Sequence, residues 1–131
     1  MSKYHNKPVW HDGIKFDSGK EGDHYLYLKE LLKRGKISNL RMQVPFQLLP
    51  AVYGEKEVVK ELKRGTKVYM KKYCVQRKME YFADFVYIDN STGKEVVVDV
   101  KSKATAKKEA YRLKKKMMLA LLGIGITEVI Y

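Results

Sequence analysis

The sequence predicts an α/β fold, a mixed β-sheet flanked by helices. Three observations lead to it: two segments have helical periodicity, several β-branched or aromatic runs are bounded by turn residues, and these elements follow in the order helix, three strands, helix, strand. A chain of 131 residues can build one hydrophobic core and is too short for two. We therefore expect a single domain over residues 1–131, with a basic insertion or arm at 54–78.

The first elements are a short hairpin and a helix. Val9 to Phe16 reads as two strands joined by an Asp12-Gly13 turn. Ser18 and Glu21 have the spacing of a capping box, which predicts a helix that begins there, runs to about Arg34 and ends at Gly35. The residues at helical spacing that should form its buried stripe are Tyr25, Leu28 and Leu32.

The central part of the chain is strand-like. Leu40 to Val52 predicts a strand in which Pro45 indicates an edge or a bulge. The charged residues 54–66 predict a surface helix or a loop. A strand from about Val68 to Ile88, broken near Gln76–Met79, and a strand from Lys94 to Lys101 should flank a turn at residues 89–93.

A second helix and a last strand complete the pattern. The helix is predicted from Thr105 to Leu122, ends at Gly123, and is followed by a strand from Ile126 to Tyr131. Its apolar face should comprise Ala106, Ala110, Leu113, Met117 and Leu121.

The composition indicates which kinds of partner and which cellular compartment to expect. The formal net charge of +12 favours a polyanion, nucleic acid first and an anionic membrane surface second. Cys74 is the one cysteine, so no internal disulfide framework exists. No apolar run is long enough to span a membrane, and the polar residues 1–5 have no signal-peptide core, so we expect an intracellular protein without membrane partners. His5, His11 and His24 do not have zinc-site spacing.

The segment from Val96 to Lys101 is the most informative motif. It is an apolar run that ends in an acid and a lysine two residues apart. Because side chains alternate along a strand, Asp99 and Lys101 should emerge together while Val98 and Val100 point the other way. Such a pair can serve a metal site, or it can be a solvated ion pair at a strand end.

Two further acids can join this pair. Asp84 interrupts an aromatic strand-like run and would approach Asp99 if the two strands form an antiparallel hairpin. Glu21 lies at the start of the buried stripe, although a capping box would also explain it. Close carboxylates repel unless a cation lies between them or one stays protonated, and hard oxygen ligands suit Mg²⁺ or Mn²⁺. We therefore predict Glu21, Asp84 and Asp99 as metal ligands and Lys101 as the fourth catalytic residue.

Basic side chains around these elements are candidates for DNA contact, the alternative being an ordinary solvated lysine-rich surface. Segment 54–78 could equally be a DNA-gripping extension, a dimer arm or a charged surface hairpin. The predicted DNA-binding residues are Lys15, Lys20, Lys103, Lys107, Lys108, Arg112, Lys114 and Lys115.

These motifs resemble the PD-(D/E)xK nuclease superfamily. The resemblance maps Glu21 onto the acid of the first helix, Asp84 onto the metal-binding Asp, and Asp99 with Lys101 onto the (D/E)-x-K pair, with Asp in place of the commoner Glu. It implies a restriction-endonuclease-like α-β-β-β-α-β core. Residues 13–18 with Glu21, residues 83–86 and residues 99–101 look more narrowly like a phage-encoded family of small nucleases known only as a domain of unknown function. In layout the chain is similar to endonuclease I type Holliday junction resolvases.

The resemblance implies a Mg²⁺-dependent endonuclease acting on branched recombination or replication DNA. In that reading the carboxylates hold the metal, and Lys101 orients or helps deprotonate the attacking water. Resolving a junction needs two symmetric cuts, which predicts a homodimer; a phage origin would place it in the bacterial host cytoplasm. The alternatives are a non-catalytic basic DNA-binding module and a flap or single-strand nuclease.

Overall fold

The computed structural model describes residues 7–131, so the expectation for residues 1–5 lies outside the described part of the chain. The chain divides into two compact units. One comprises the chain up to Phe46 together with Tyr81–Tyr131, and the other comprises Gln47–Glu80.

The first unit carries most of the secondary structure, and two of its strands continue into the second unit. Its elements are β1 (Val9–His11), β2 (Ile14–Phe16), α1 (Gly19–Lys33), β3 (Ile37–Leu49), β6 (Met79–Asp89), β7 (Lys94–Lys101), α2 (Lys103–Ala106), α3 (Glu109–Leu122) and β8 (Ile126–Ile130). The second unit contains β4 (Val52–Leu62) and β5 (Gly65–Gln76).

The main sheet has the strand order β3-β6-β7-β8. The β6 and β7 strands pair antiparallel, and β7 and β8 pair parallel across the connection through α2 and α3. The sheet is therefore mixed, and the predicted α/β fold class is confirmed. β3 lies at the edge of the sheet, a position that tolerates Pro45, whose nitrogen carries no hydrogen to donate to a neighbouring strand. β3 begins at Ile37 and ends at Leu49, three residues earlier at each end than predicted.

The N-terminal hairpin forms as predicted. Asp12 and Gly13 both have positive φ (52° and 76°), the conformation that a two-residue hairpin turn requires. This hairpin packs closely on α1: a Cβ added at Gly22 would lie 2.6 Å from a Val9 methyl carbon, so only glycine fits there. The contact fixes the first turn of α1 beside β1.

The α1 helix buries Tyr25 and Leu28 as predicted, whereas the prediction for Leu32 is wrong. Leu32 is 40% exposed, and Leu31 packs against the core instead. The i+3 and i+4 positions lie on the same helix face, so spacing from Leu28 does not decide which of the two is buried in the last turn.

The core lies between α1 and the sheet. Phe85 on β6 and Val98 and Val100 on β7 cluster with Tyr25 and Leu28 of α1. Alternation sends Asp99 and Lys101 to the opposite side of β7, as predicted. The aliphatic residues of β7 thereby anchor the strand whose other face carries the charged pair.

The second helix differs from its prediction. Lys108 has an extended backbone (ψ 136°), which separates the short α2 from α3. The predicted apolar face is also wrong, because Met118 is the buried residue of α3, while Leu113 and Leu121 are 52% and 54% exposed and Ala110 is exposed too. Met117 and Met118 point in directions about 100° apart, and packing against the sheet selected the second.

The prediction of a surface helix or a loop over residues 54–66 is wrong. This segment is strand β4 and the start of β5, which pair antiparallel around a two-residue turn at Lys63 and Arg64. The predicted break near Gln76–Met79 is confirmed, since β5 ends at Gln76 and β6 begins at Met79. Within residues 7–131, no helix has the length and apolar character needed to cross a membrane.

Candidate active site

The last residues of β7 lie beside a cavity of about 170 Å³. Its lining comes from the start of α1, from β6 and from the β7–α2 junction, which brings together residues far apart in sequence. The polar side chains that line it include Asp17, Ser18, Glu21, Asp84, Lys101 and Ser102. Three of the four predicted catalytic residues therefore share one solvent-accessible space.

Asp99 is the fourth, and it lies beneath this space rather than on its wall. Its side chain is fully buried, and its Oδ1 forms an ion pair with Lys101 Nζ at 3.0 Å. The Tyr81 hydroxyl donates a hydrogen bond to the other oxygen, Oδ2. The pair emerges on one face of β7 as predicted, and Asp99 acts there as the buried anchor of Lys101.

Asp84 lies where the pairing of β6 with β7 ends, one residue before Phe85, which is opposite Val98. Its Oδ2 accepts a hydrogen bond from the Val100 backbone N–H at 2.8 Å. The carboxylate thus takes the place of a backbone carbonyl on a neighbouring strand. Its other oxygen faces the side chain of Gln43. The predicted approach of Asp84 to Asp99 is observed, since Asp99 lies close enough to Asp84 to raise its pKa.

Glu21 reaches the cavity from the first turn of α1. The Ser18 hydroxyl accepts the Glu21 backbone N–H at 3.1 Å, so the Ser18 half of the predicted capping box is present. The Glu21 side chain is 7% exposed, and its Oε1 accepts a hydrogen bond from Gln43 Nε2 at 3.0 Å. The helix cap therefore positions the Glu21 carboxylate at the cavity, where it accepts from Gln43.

Gln43 links the two carboxylates that line the cavity. Its Nε2 lies 3.0 Å from Glu21 Oε1 and 3.3 Å from Asp84 Oδ1. Its backbone has a φ of 50°, in the left-handed region that non-glycine residues rarely adopt. Such strain clusters at functional sites, where surrounding structure holds it in place. No sequence signal indicated Gln43, because nothing in its local pattern predicts this conformation.

Burial and mutual repulsion raise the pKa values of these carboxyls. The pKa of Asp84 rises to about 8, chiefly through burial and then through the neighbouring Asp99. Burial and the nearby Asp17 raise the pKa of Glu21, against the opposing hydrogen bond from Gln43. Without a cation, Glu21 and Asp84 therefore keep their protons at pH values where isolated carboxyls would have released them.

Lys101 stays charged in this setting. Burial lowers its pKa, but the charges of Asp99, Asp84 and Glu21 outweigh burial and raise the pKa above that of an ordinary lysine. Its Nζ also lies 5.5 Å from the centroid of the Tyr111 ring on α3. An ammonium in this state donates hydrogen bonds and stabilises anions, and it cannot accept a proton.

The cavity provides some, but not all, of the predicted carboxylate ligands for a hard cation such as Mg²⁺. Mg²⁺ is commonly bound through one or two carboxylates together with water molecules, and Glu21 and Asp84 offer two carboxylates at the cavity. Asp99 would have to leave Lys101 and Tyr81 to become a third ligand. Accordingly, no group of three or more His, Cys, Asp or Glu side chains within residues 7–131 is arranged to hold a metal ion.

Six of the eight predicted DNA-binding residues are exposed, and the other two, Lys114 and Lys115, are half-buried. Lys15 on β2, Lys20 beside Glu21, Lys103 and Lys107 are exposed near elements that line the cavity, and Lys108 and Arg112 are exposed further along. Lys115 forms an ion pair with Glu128, which also accepts a hydrogen bond from the Tyr111 hydroxyl at 3.1 Å. Lys114 is half-buried on α3.

Sequence reasoning missed four residues of this site: Asp17, Gln43, Tyr81 and Tyr111. Asp17 directly precedes the helix cap, and Tyr81 belongs to the aromatic run around Asp84, so proximity to a predicted site residue was the available signal for both. Tyr111 reaches Lys101 only because α3 packs on the sheet.

Comparison with known proteins places the chain in a family. The profile of the family described as "Protein of unknown function (DUF1064)" matches residues 1–122, and the chain belongs to that family. Neither the curated proteins nor the solved structures give a significant match.

Proposed function

We propose that this chain is a metal-dependent endodeoxyribonuclease that hydrolyses phosphodiester bonds, with Mg²⁺ as the natural ion and Mn²⁺ as a substitute. One observation carries the proposal. Two carboxylates with raised pKa values, Glu21 and Asp84, and a lysine held charged, Lys101, line one cavity at the end of a buried strand. A purely structural role would leave this concentration of buried charge unexplained.

Each side chain has a role in the proposal. Glu21 and Asp84 would hold the cation, which supplies charge stabilisation to the scissile phosphate when bound. Lys101 donates to a phosphate oxygen or orients the attacking water, and its raised pKa favours this role over proton removal. Asp99 and Tyr81 position Lys101, and Gln43 positions the two carboxylates.

The finer assignments rest on the resemblance to endonuclease I type resolvases. They are a branched DNA substrate such as a four-way junction, a homodimer that makes two symmetric cuts, and a place in the bacterial host cytoplasm if the protein is phage-encoded. The net charge of +12 fits a nucleic-acid substrate of any of these shapes.

Cleavage assays test the proposal directly. Labelled four-way junction, flap, single-stranded and linear duplex DNA are incubated with the protein in Mg²⁺, Mn²⁺ or EDTA. We expect metal-dependent cutting that falls by at least about 10³-fold in Asp84→Asn and Glu21→Gln, because each loses a charged ligand. Asp23→Asn changes an exposed acid on the same helix as Glu21 and should cut at the wild-type rate.

The assay also separates the substrates. Symmetric nicks confined to the junction identify a resolvase, and cutting confined to flaps or single strands identifies the alternative nuclease. Cutting that survives in EDTA or in Asp84→Asn refutes the proposed chemistry.

A non-catalytic DNA-binding module is the second candidate. The observation that favours it is the engagement of Asp99 with Lys101 and Tyr81, which removes one predicted ligand from the cavity. It predicts salt-dependent binding that ignores metal, with no cutting of any substrate.

A further inference from the structure

The β4–β5 hairpin separates its charges between its two faces. Residues directly opposite each other on paired strands share a face, and alternate residues change face. The register pairs Gly54 with Tyr73, Lys56 with Lys71, Val58 with Tyr69, Lys60 with Lys67 and Leu62 with Gly65 on one face. That face, here called the lysine face, carries four lysines and no acid.

The other face carries the acids. Its pairs are Tyr53 with Cys74, Glu55 with Lys72, Glu57 with Met70, Val59 with Val68 and Glu61 with Thr66. Three glutamates stand there with a single lysine, so the counter-charges of the hairpin point away from its main positive surface.

This arrangement is unfavourable for the isolated hairpin. Lys56 faces Lys71 and Lys60 faces Lys67 directly across the ladder, and like charges in that position destabilise a strand pair. Among the described residues, none of these four lysines forms an ion pair. A hairpin built for stability alone would place glutamates opposite them.

Aromatic rings hold part of this charge in place. Lys56 Nζ lies 5.3 Å from the centroid of the Tyr73 ring, and Lys67 Nζ lies 5.4 Å from that of Tyr69, distances typical of cation–π contacts. Each contact joins one lysine of a like-charged pair to a tyrosine on the same face. The rings thus order two ammonium groups without neutralising them.

We infer that the lysine face binds the phosphate backbone of DNA. Its two lysine pairs stand four residues apart along the strands, about 13 Å at 3.3 Å per residue, which spans roughly four base-pair steps. Phosphates between the opposed lysines would convert both repulsions into attractions. The inference deepens the proposed function by assigning DNA binding to a surface outside the cavity.

Binding measured in EDTA tests this surface independently of cleavage. The probe is a fluorescently labelled 30-base-pair duplex, titrated at several salt concentrations with wild type, Lys56→Gln/Lys71→Gln and Lys60→Gln/Lys67→Gln. Each hairpin variant should weaken binding about tenfold near 0.15 M salt and reduce the slope of log affinity against log salt by about 2, since each phosphate contact contributes about 0.9.

Two controls match the design. Lys33→Gln/Lys94→Gln removes the same charge from exposed positions at the end of α1 and the start of β7 and should keep the wild-type slope. Lys60→Arg/Lys67→Arg keeps the charge and should keep the binding, which separates loss of phosphate contact from damage to the hairpin.

The inference is overturned if the hairpin variants and the matched control lose the same affinity, which would show a net-charge effect. It is also overturned if the hairpin variants dissociate a dimer in sedimentation while binding DNA normally, because the face would then contact a second copy. A wild type that binds in this way but never cuts would refute the nuclease and leave the inference standing.

Discussion

Charged side chains are arranged in opposite ways in the acid cluster, formed by Glu21, Asp84 and Asp99 around Lys101, and on the β4–β5 hairpin. At the acid cluster, the carboxylates of Glu21, Asp84 and Asp99 are buried beside the half-buried Lys101. The pKa values of Asp84 and Lys101 are raised there. On the hairpin, nearly every side chain is exposed, and lysines face lysines across the strands. The first arrangement suits short-range chemistry on a few atoms, and the second suits long-range attraction to a polyanion.

The two regions also differ in what they contribute to stability. Every residue of the buried core cluster belongs to the first unit, whereas β4 and β5 present exposed side chains on both faces. A two-stranded hairpin of this kind is marginally stable by itself. Substitutions in the acid cluster should therefore affect both folding and cleavage, and substitutions on the hairpin should affect DNA binding.

After the loss of Glu21 or Asp84, the largest expected effect comes from removing Lys101. We expect Lys101→Met to reduce cleavage by about 10³-fold, because the positive charge that we propose to face the phosphate is lost. The same change leaves Asp99 buried without its cation and should lower the free energy of unfolding by about 3 kcal/mol.

Single-turnover cleavage and urea unfolding measure the two losses. Asp99→Asn combined with Lys101→Met should recover most of the stability and none of the cleavage. Lys94→Met, at the other end of β7, is the control. Equal cleavage by wild type and Lys101→Met would remove this residue from the site.

The next effect is the pH dependence of the metal-free protein. The pKa of Asp84 is about 8 in the folded state and 3.8 in the reference state, so the folded form holds a proton that the unfolded form releases. This contribution to stability is fully present below about pH 4 and is lost as pH rises towards 8. The loss should be on the order of a few kcal/mol.

Thermal unfolding in EDTA between pH 5 and 9 measures this loss. Asp84→Asn should flatten the profile, since an amide does not titrate over this range. A wild-type profile as flat as that of the variant would show that Asp84 is already ionised in the fold.

Removing the Gln43 amide should have a smaller effect. We expect Gln43→Ala to reduce metal-dependent cleavage by 10- to 100-fold, the usual cost of losing a group that orients metal ligands. Because the Gln43 hydrogen bond lowers the pKa of Glu21, its loss should also move the acidic limb of the pH–rate profile to higher pH.

Gln43→Gly separates the side chain from the backbone. Glycine accepts the φ of 50° without strain, so this variant should fold at least as well as Gln43→Ala and show the same shift in the pH profile. Gln47→Ala, at an exposed position on the same strand, serves as the control. A pH profile unchanged in both Gln43 variants would limit Gln43 to a packing role.

The smallest effect on the chemical step should follow deletion of the hairpin. Replacing residues 52–76 with a short glycine-serine turn removes both lysine pairs and should raise KM for DNA about 100-fold, while kcat and the cooperativity of thermal unfolding persist. Loss of cooperative unfolding would show instead that the first unit depends on the hairpin.

The sequence by itself determined most of the local structure. Turn and cap residues such as Asp12-Gly13, Ser18 and Gly123 act within a few positions, so their effects are encoded where they occur. Alternation along β7 likewise placed Asp99 and Lys101 on one face. The α/β class followed from the order of these elements.

Only the tertiary structure decided the rest, because it depends on contacts between distant segments. The choice of Leu31 over Leu32 and of Met118 over Met117 depends on which face meets the sheet. The conformation of Gln43 depends on an irregular edge strand, and the lysine face depends on a register between β4 and β5 that their charged sequences do not specify. A one-residue slip of that register would change which lysines face each other.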